Sequence, residues 1–161
     1  MTRPRVLGAL VALAVAILDQ ASKRWVVDGL GMADRQPFAL ASFLDLRLSW
    51  NRGISFSLFA QEGALGRAAL LGLTLAATIF LSLWLWRSRR LAVALGLGGI
   101  IGGALGNFYD RLAYGAVADF LDLHWGTKHF FVFNLADAAI NLGVALLLLD
   151  AFFGGRREST P

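Results

Sequence analysis

Four apolar runs constrain this chain more than anything else in it. Val6 to Leu18 carries no charge, is interrupted by Asp19, and resumes as Trp25-Val26-Val27. Ala68 to Trp86 and Leu91 to Tyr109 are each nineteen residues without a charge, and Phe130 to Leu149 is twenty residues whose one charge is Asp137. Crossing the hydrocarbon of a bilayer takes about 20 residues of helix. The spacing predicts a mainly α membrane protein, a four-helix bundle with spans over about 6–27, 68–86, 91–109 and 131–150, in one domain covering 1–161. Composition agrees: 57% of residues are hydrophobic and 16% charged, where a soluble domain carries about 25% charged. With no cysteine, disulfides, thiolate metal sites and a cysteine nucleophile are excluded.

The basic residues set the orientation. A pI near 10.3 is a weak pointer to nucleic acid, and here the arginines cluster at the ends of the apolar runs, so nucleic acid is not an expected partner. Arg3 and Arg5 precede the first run, Arg87, Arg89 and Arg90 fill the turn between the second and third, and Arg156 and Arg157 follow the fourth. These seven face one acid, Glu158, whereas the opposite side holds eight basic and nine acidic residues, with Asp150 left at the inner end of the fourth run. By the positive-inside rule both termini and the Arg87–Arg90 turn are cytoplasmic, and 28–67 and 110–129 lie outside. A cleaved leader is the competing reading of the first run, since Ala14-Val15-Ala16 resembles a cleavage site. The run nevertheless continues to Leu18 into a polar cluster that would have no use beside a cut.

Between the spans the pattern changes period. Leu44, Leu46, Leu48 and Trp50 alternate with Asp45, Arg47 and Ser49, which reads as a half-buried strand. Asn51-Arg52-Gly53 is a turn signal, and Ile54, Phe56 and Leu58 suggest a second strand. Val117, Asp119, Leu121, Leu123 and Trp125 alternate with Phe120, Asp122 and His124. A small antiparallel extracytoplasmic sheet, over about 36–60 and 115–126, is expected to cradle the outer end of the bundle. The third span holds Gly96, Gly98, Gly99, Gly102, Gly103 and Gly106. Pairs four apart, such as Gly99/Gly103 and Gly102/Gly106, let membrane helices approach closely. No Gly-Lys-Ser/Thr ending supports a phosphate loop. The tail from Gly154 to Pro161 is expected to lack structure.

Polar residues inside a bilayer are expensive, roughly 2.5–3.5 kcal/mol for a central charge. Asp19 and Lys23 are four apart and can pair along one helix face, which makes them structural or supporting. Asn51 sits in a turn, where asparagine is common. Asp110 and Arg111 close the third span and read by themselves as interfacial anchors. Asp119 shares a strand face with Val117 and Leu121, and a carboxylate on an apolar face needs a partner or a raised pKa. Asn134 can cap the fourth span with Asp137 three residues on, as in a capping box. That reading does not account for a second apolar-side aspartate, Asp119, on the same membrane surface. Two adjacent carboxylates share a proton and titrate as a unit; one then takes a proton from water while the other donates to a scissile carbonyl.

Other chemistries fit less well. A metal site drawn from Asp119, Asp122, His124 and His129 has no His-Glu-x-x-His motif, so no metal and no cofactor is expected. His124 and His129 read as interfacial. A serine nucleophile lacks its Gly-x-Ser-x-Gly elbow. Tyr109-Asp110 is similar to a presenilin-like motif, but Asp137 follows Asn-Leu-Ala where that family has Gly-x-Gly.

Taken together, the clusters resemble the ordered motifs of signal peptidase II, the prolipoprotein signal peptidase. Asp19–Lys23 is similar to the family's Asp-Gln-x-Ser/Thr-Lys, Asn51–Phe56 to Asn-x-Gly-x-Ser/Ala-Phe, and Gly102–Arg111 to Gly-Gly-Ala-x-Gly-Asn-x-x-Asp-Arg. Val117–Phe120 matches Val-x-Asp-Phe, and Phe133–Asp137 matches Phe-Asn-x-Ala-Asp, with Ala138 where many members have serine. The resemblance implies a catalytic dyad of Asp119 and Asp137. It implies supporting or substrate-binding roles for Asp19, Lys23, Asn51, Gly53, Asn107, Asp110, Arg111, Asn134 and Ala136. From the residues themselves, the asparagine amides can orient the carboxylates and hold peptide backbone, and Arg111 can meet a lipid headgroup. The implied activity is aspartic endopeptidase cleavage before the lipidated cysteine of diacylglyceryl-modified prolipoproteins, at the outer face of the bacterial cytoplasmic membrane. Globomycin-like cyclic peptides are the implied inhibitors. The alternative class is a small proton- or ion-coupled transporter, which predicts polar residues through the midplane. Spans two and three are instead apolar at their centres. A scaffold that assembles through glycine faces leaves the polar motifs unexplained.

Overall fold

A computed structural model of the chain describes residues 3–35, 37–53 and 64–153. Four helices are long and apolar enough to cross a membrane. They are α1 (Arg3–Arg24), which continues as one wider π-type turn over Trp25–Gly29, α2 (Ala64–Arg87), α3 (Leu91–Ala113) and α4 (Leu135–Phe153). Four strands, β1 (Phe38–Ala41), β2 (Leu44–Asn51), β3 (Val117–Trp125) and β4 (Lys128–Phe133), form one antiparallel sheet in the order β1-β2-β3-β4.

Helix α3 is the axis of the bundle. It is the most buried of the four and packs along α1 on one side and α4 on the other, while α2 lies against it more lightly. Glycine permits this. A Cβ at Gly98 or Gly102 would strike the backbone carbonyls of Gly8 or Ala12 on α1, and one at Gly99 or Gly103 would press on those of Ala139 or Ala136 on α4. The glycines therefore form two stripes, one for each neighbouring helix, and the helices meet backbone to backbone as small residues allow in a membrane. The outward faces are the reverse of a soluble protein's: Leu73, Ile79, Phe80, Leu83 and Leu142 are exposed, as side chains in contact with lipid should be. At the end of the bundle away from the sheet, Arg90 pairs with Asp150 at 2.9 Å and Arg5 donates to the Ser88 carbonyl at 3.1 Å.

The sheet docks on the opposite end. Val26, in the wider turn that ends α1, is fully buried with Met32, Leu46 and Phe120 in one cluster. β3 is an inner strand, and from Val117 to Phe120 it is buried on both faces, so the expected half-buried alternation is lost there. An extra residue in β2 shifts its register on β3 between the pairs Leu46↔Leu121 and Ser49↔Asp119. The shift sets Asn51 opposite Val117, diagonal to Asp119.

Two boundaries differ from expectation. The fourth span does not begin at 131, because residues 128–133 are β4 and the helix starts at Leu135. A continuous apolar run suits a buried strand and a helix equally, and the break between them is the cap at Asn134. The sheet correspondingly extends past 126. The suggested strand over Ile54–Leu58 and the tail from Gly154 lie outside the described residues.

Candidate active site

The site is assembled from the ion pair upward. Lys23 on α1 is buried, and its ammonium lies 2.8 Å from Asp19, 2.8 Å from Asp110 on α3 and 2.9 Å from the Asn107 Oδ1. An ammonium has three donors, and here three acceptors are present. Asp110 is buried at 1% exposure. It is thus no interfacial anchor but the second carboxylate of an interhelical ion cluster, possible because Gly106 brings α3 against the Asp19 carboxylate. Gln20 donates to Asp110 at 2.8 Å and to the Gly106 carbonyl at 3.1 Å. The other Asp19 oxygen accepts the Ala136 N–H at 2.9 Å, which ties the first turn of α4 to α1.

Above this cluster lie three asparagines, each with its amide orientation fixed. The Asn107 oxygen faces Lys23, so its nitrogen donates to Asp137 Oδ1 at 2.9 Å. The Asn134 oxygen accepts the Asp137 backbone N–H at 2.9 Å, so its nitrogen donates to Asp119 Oδ1 at 2.7 Å and to Asn107 at 3.1 Å. The Asn51 oxygen accepts the Gly53 N–H at 3.0 Å in a tight local turn, so its nitrogen donates to Asp119 Oδ2 at 3.0 Å. In each case a donor occupies the oxygen and turns the NH2 toward a carboxylate.

Asp119 on β3 and Asp137 on α4 face one cleft of about 680 Å³, with Asn51, Gly53, Asn107 and Arg111 also on its wall. Asp119 is 3% exposed. Burial, and next the charge of Asp137, push its carboxyl up to about 7 against the opposing pull of the Asn51 and Asn134 hydrogen bonds. Asp137 does form the capping box, accepting the Asn134 backbone N–H on Oδ2 at 3.2 Å. Its Oδ1 remains turned to Asn107, so capping and site membership coexist. Arg111 donates to the Gly53 carbonyl at 3.0 Å.

The two histidines stand apart from the cleft: His124 lies 3.1 Å from Asp45 and His129 2.9 Å from Asp122. Among the described residues no cluster suited to a metal ion is present. The cleft also includes Phe133, the first residue of the Phe133–Asp137 motif, and Ser49, Phe130, Phe131 and Asn141, to which sequence reasoning assigned no site role. The β4 phenylalanines were absorbed into the expected span. Asn141 had a readable signal, a polar residue one helical turn after Asp137.

The family described as Signal peptidase (SPase) II matches residues 11–153. A lipoprotein signal peptidase of Methylocella silvestris is 58% identical over 157 residues, covering 98% of this chain and 92% of the relative. One from Beijerinckia indica is 55% identical, covering 92% and 89%. Among solved structures, a bacterial membrane enzyme determined by the in meso method is similar at a TM-score of 0.77 and 25% identity, covering 91% of this chain and 92% of that one. With the match running through both aspartates and all three site asparagines, the chain belongs to the signal peptidase II family.

Proposed function

We propose that this chain removes signal peptides from prolipoproteins as an aspartic endopeptidase, with Asp119 and Asp137 as the catalytic pair. The observation that carries the reading is the set of three orientation-locked asparagine amides. They hold both carboxylates in place, and among the described residues no cation is bonded to either. A carboxyl pushed up to about 7 is still about half protonated at neutral pH, which supports Asp119 as the acid, with Asp137 as its partner base. Water attacks the scissile carbonyl carbon and gives a proton to Asp137, while Asp119 protonates the carbonyl oxygen. Collapse of the tetrahedral intermediate breaks the C–N bond. As that bond breaks, Asp137 passes its proton to the leaving nitrogen, and Asp119 recovers one from the hydroxyl.

The substrate is a precursor whose lipobox cysteine already carries diacylglycerol, cut just before that cysteine. The cleft lies where the sheet meets the bundle, so a bond held at the membrane surface by a signal helix and two acyl chains reaches the carboxylates without deep entry into hydrocarbon. The arginine distribution puts both termini in the cytoplasm and the cleft at the extracytoplasmic face. Arg111, on the cleft wall, meets the lipid headgroup region, and globomycin-like cyclic peptides occupy the same cleft. The test is release of signal peptide from a diacylglyceryl-modified precursor by the purified protein in detergent or liposomes. Cleavage that resists a chelator and disappears in folded Asp119→Asn and Asp137→Asn is expected. Undiminished cleavage by either variant overturns the assignment.

A further inference from the structure

Asn141 is the one polar side chain between Ala138 and Leu149 of α4. It is exposed and lines the same cleft as Asp119 and Asp137. Four residues past Asp137, it projects from nearly the same helix face about 6 Å further along the axis, away from the sheet and into the membrane. The cap is made by Asn134, and the amides on the two carboxylates come from Asn51, Asn107 and Asn134. The amide of Asn141 is thus left to the cleft itself, at a depth where an apolar side chain would be cheaper.

A peptide has to be extended at the bond being cut, and an extended backbone at membrane depth has open N–H and C=O groups that must be satisfied by protein. The arm that continues into the bilayer is the signal-peptide arm; the cysteine arm leaves toward the surface. Extended chain advances about 3.3 Å per residue, so an offset of about 6 Å reaches the second residue on the signal-peptide side. A carboxamide carries both donor and acceptor, as a peptide unit does.

We infer that Asn141 is a substrate-positioning residue that hydrogen-bonds the main chain of the second residue before the scissile bond. This rests on the dyad reading above. It assigns the deeper half of the cleft to the peptide backbone, so the site reads extension of the chain there independently of side-chain identity.

The test pairs two enzymes with two substrates: wild type and Asn141→Leu, against the diacylglyceryl-modified precursor peptide and its analogue with an ester replacing the amide N–H of that residue. Loss of one net hydrogen bond predicts about a tenfold rise in KM for Asn141→Leu with kcat nearly kept. Asn141→Gln, which retains the amide, should recover part of it. The ester should weaken wild-type turnover by about the same factor and cause little further loss in Asn141→Leu, since the bond is already gone. Independent, multiplying losses, or an unchanged KM, overturn the inference. Asp119→Asn and Asp137→Asn in the same assay separate the two readings: if they abolish cleavage while the Asn141 and ester losses multiply, only this inference fails.

Discussion

Replacing Asn51 by alanine should move the alkaline limb of the pH–rate profile upward. The Asn51 amide donates to Asp119 Oδ2 at 3.0 Å, while the other oxygen keeps its 2.7 Å bond from Asn134. A hydrogen bond to a charged group is worth about 1.5–3 kcal/mol, and each pH unit corresponds to about 1.4 kcal/mol. Asn51 is only half-buried, so water takes over part of the bond and the lower end applies, about one pH unit. The sign is fixed by which form the bond favours. It stabilises the ionised carboxylate, so its loss raises the carboxyl from about 7 toward 8. If Asp119 must be protonated to donate to the carbonyl, kcat persists to higher pH in Asn51→Ala, even if its plateau is lower. Initial rates of signal-peptide release at saturating substrate, from pH ~5 to ~9, read the limb directly. A limb that stays in place or moves to lower pH would refute the assignment of Asp119 as the acid, whatever happens to the plateau.

Three further outcomes follow from the same geometry. A carboxyl displaced from 3.8 to about 7 binds its proton more tightly folded than unfolded. Asp119 therefore lowers stability as pH rises between those values, by up to about 4 kcal/mol above 7. Asp119→Asn should accordingly raise the unfolding temperature in detergent at pH ~8 and lose most of that gain near pH ~4; a gain independent of pH would contradict it. Lys23→Met removes the cation shared by Asp19 and Asp110 and should cost about 3–5 kcal/mol of stability. It should also cost turnover, because the Asn107 oxygen keeps only the Asn134 donor of the two that fix its amide; a stable, fully active variant would count against the network. Gly106→Ala drives a Cβ into the Asp19 carboxylate, whereas Gly72→Ala on α2 meets nothing. Thermal unfolding should show a marked loss for the first and none for the second, and equal behaviour would show that α1 and α3 are not held by this contact.

Much of this was legible in the sequence, and unevenly so. The spans of α2 and α3 follow from uninterrupted apolar runs, that of α1 from a run broken only by its polar cluster, and the Asp19–Lys23 pair from its spacing along one helix. The second partner of Lys23, Asp110, was not readable, because it depends on how closely two helices approach, a distance set by Gly106 on one of them. Asp119 announced itself as a carboxylate on an apolar strand face. Asn51 and Asn107 did not, since a lone asparagine in a turn or at a helix end has many uses; motif order alone singled them out. The β4 strand was hidden because Phe130–Phe133 and the helix behind it are equally apolar. Asn134 marked the true boundary, and reading the cap as the start of the helix would have separated the two.

The two carboxylates belong to different layers: Asp119 to a strand of the surface sheet, Asp137 to the first turn of a membrane helix. Each layer alone carries one member of the proposed pair, and that mechanism needs both. The seam between the layers is made by Asn134, which reaches Asp119 from the residue that caps α4. If Asp119 and Asp137 act as the proposed pair, a chain whose sheet has lifted from the bundle would lose activity. On the proposed pairing, peptidase activity would depend on the two layers being docked against each other.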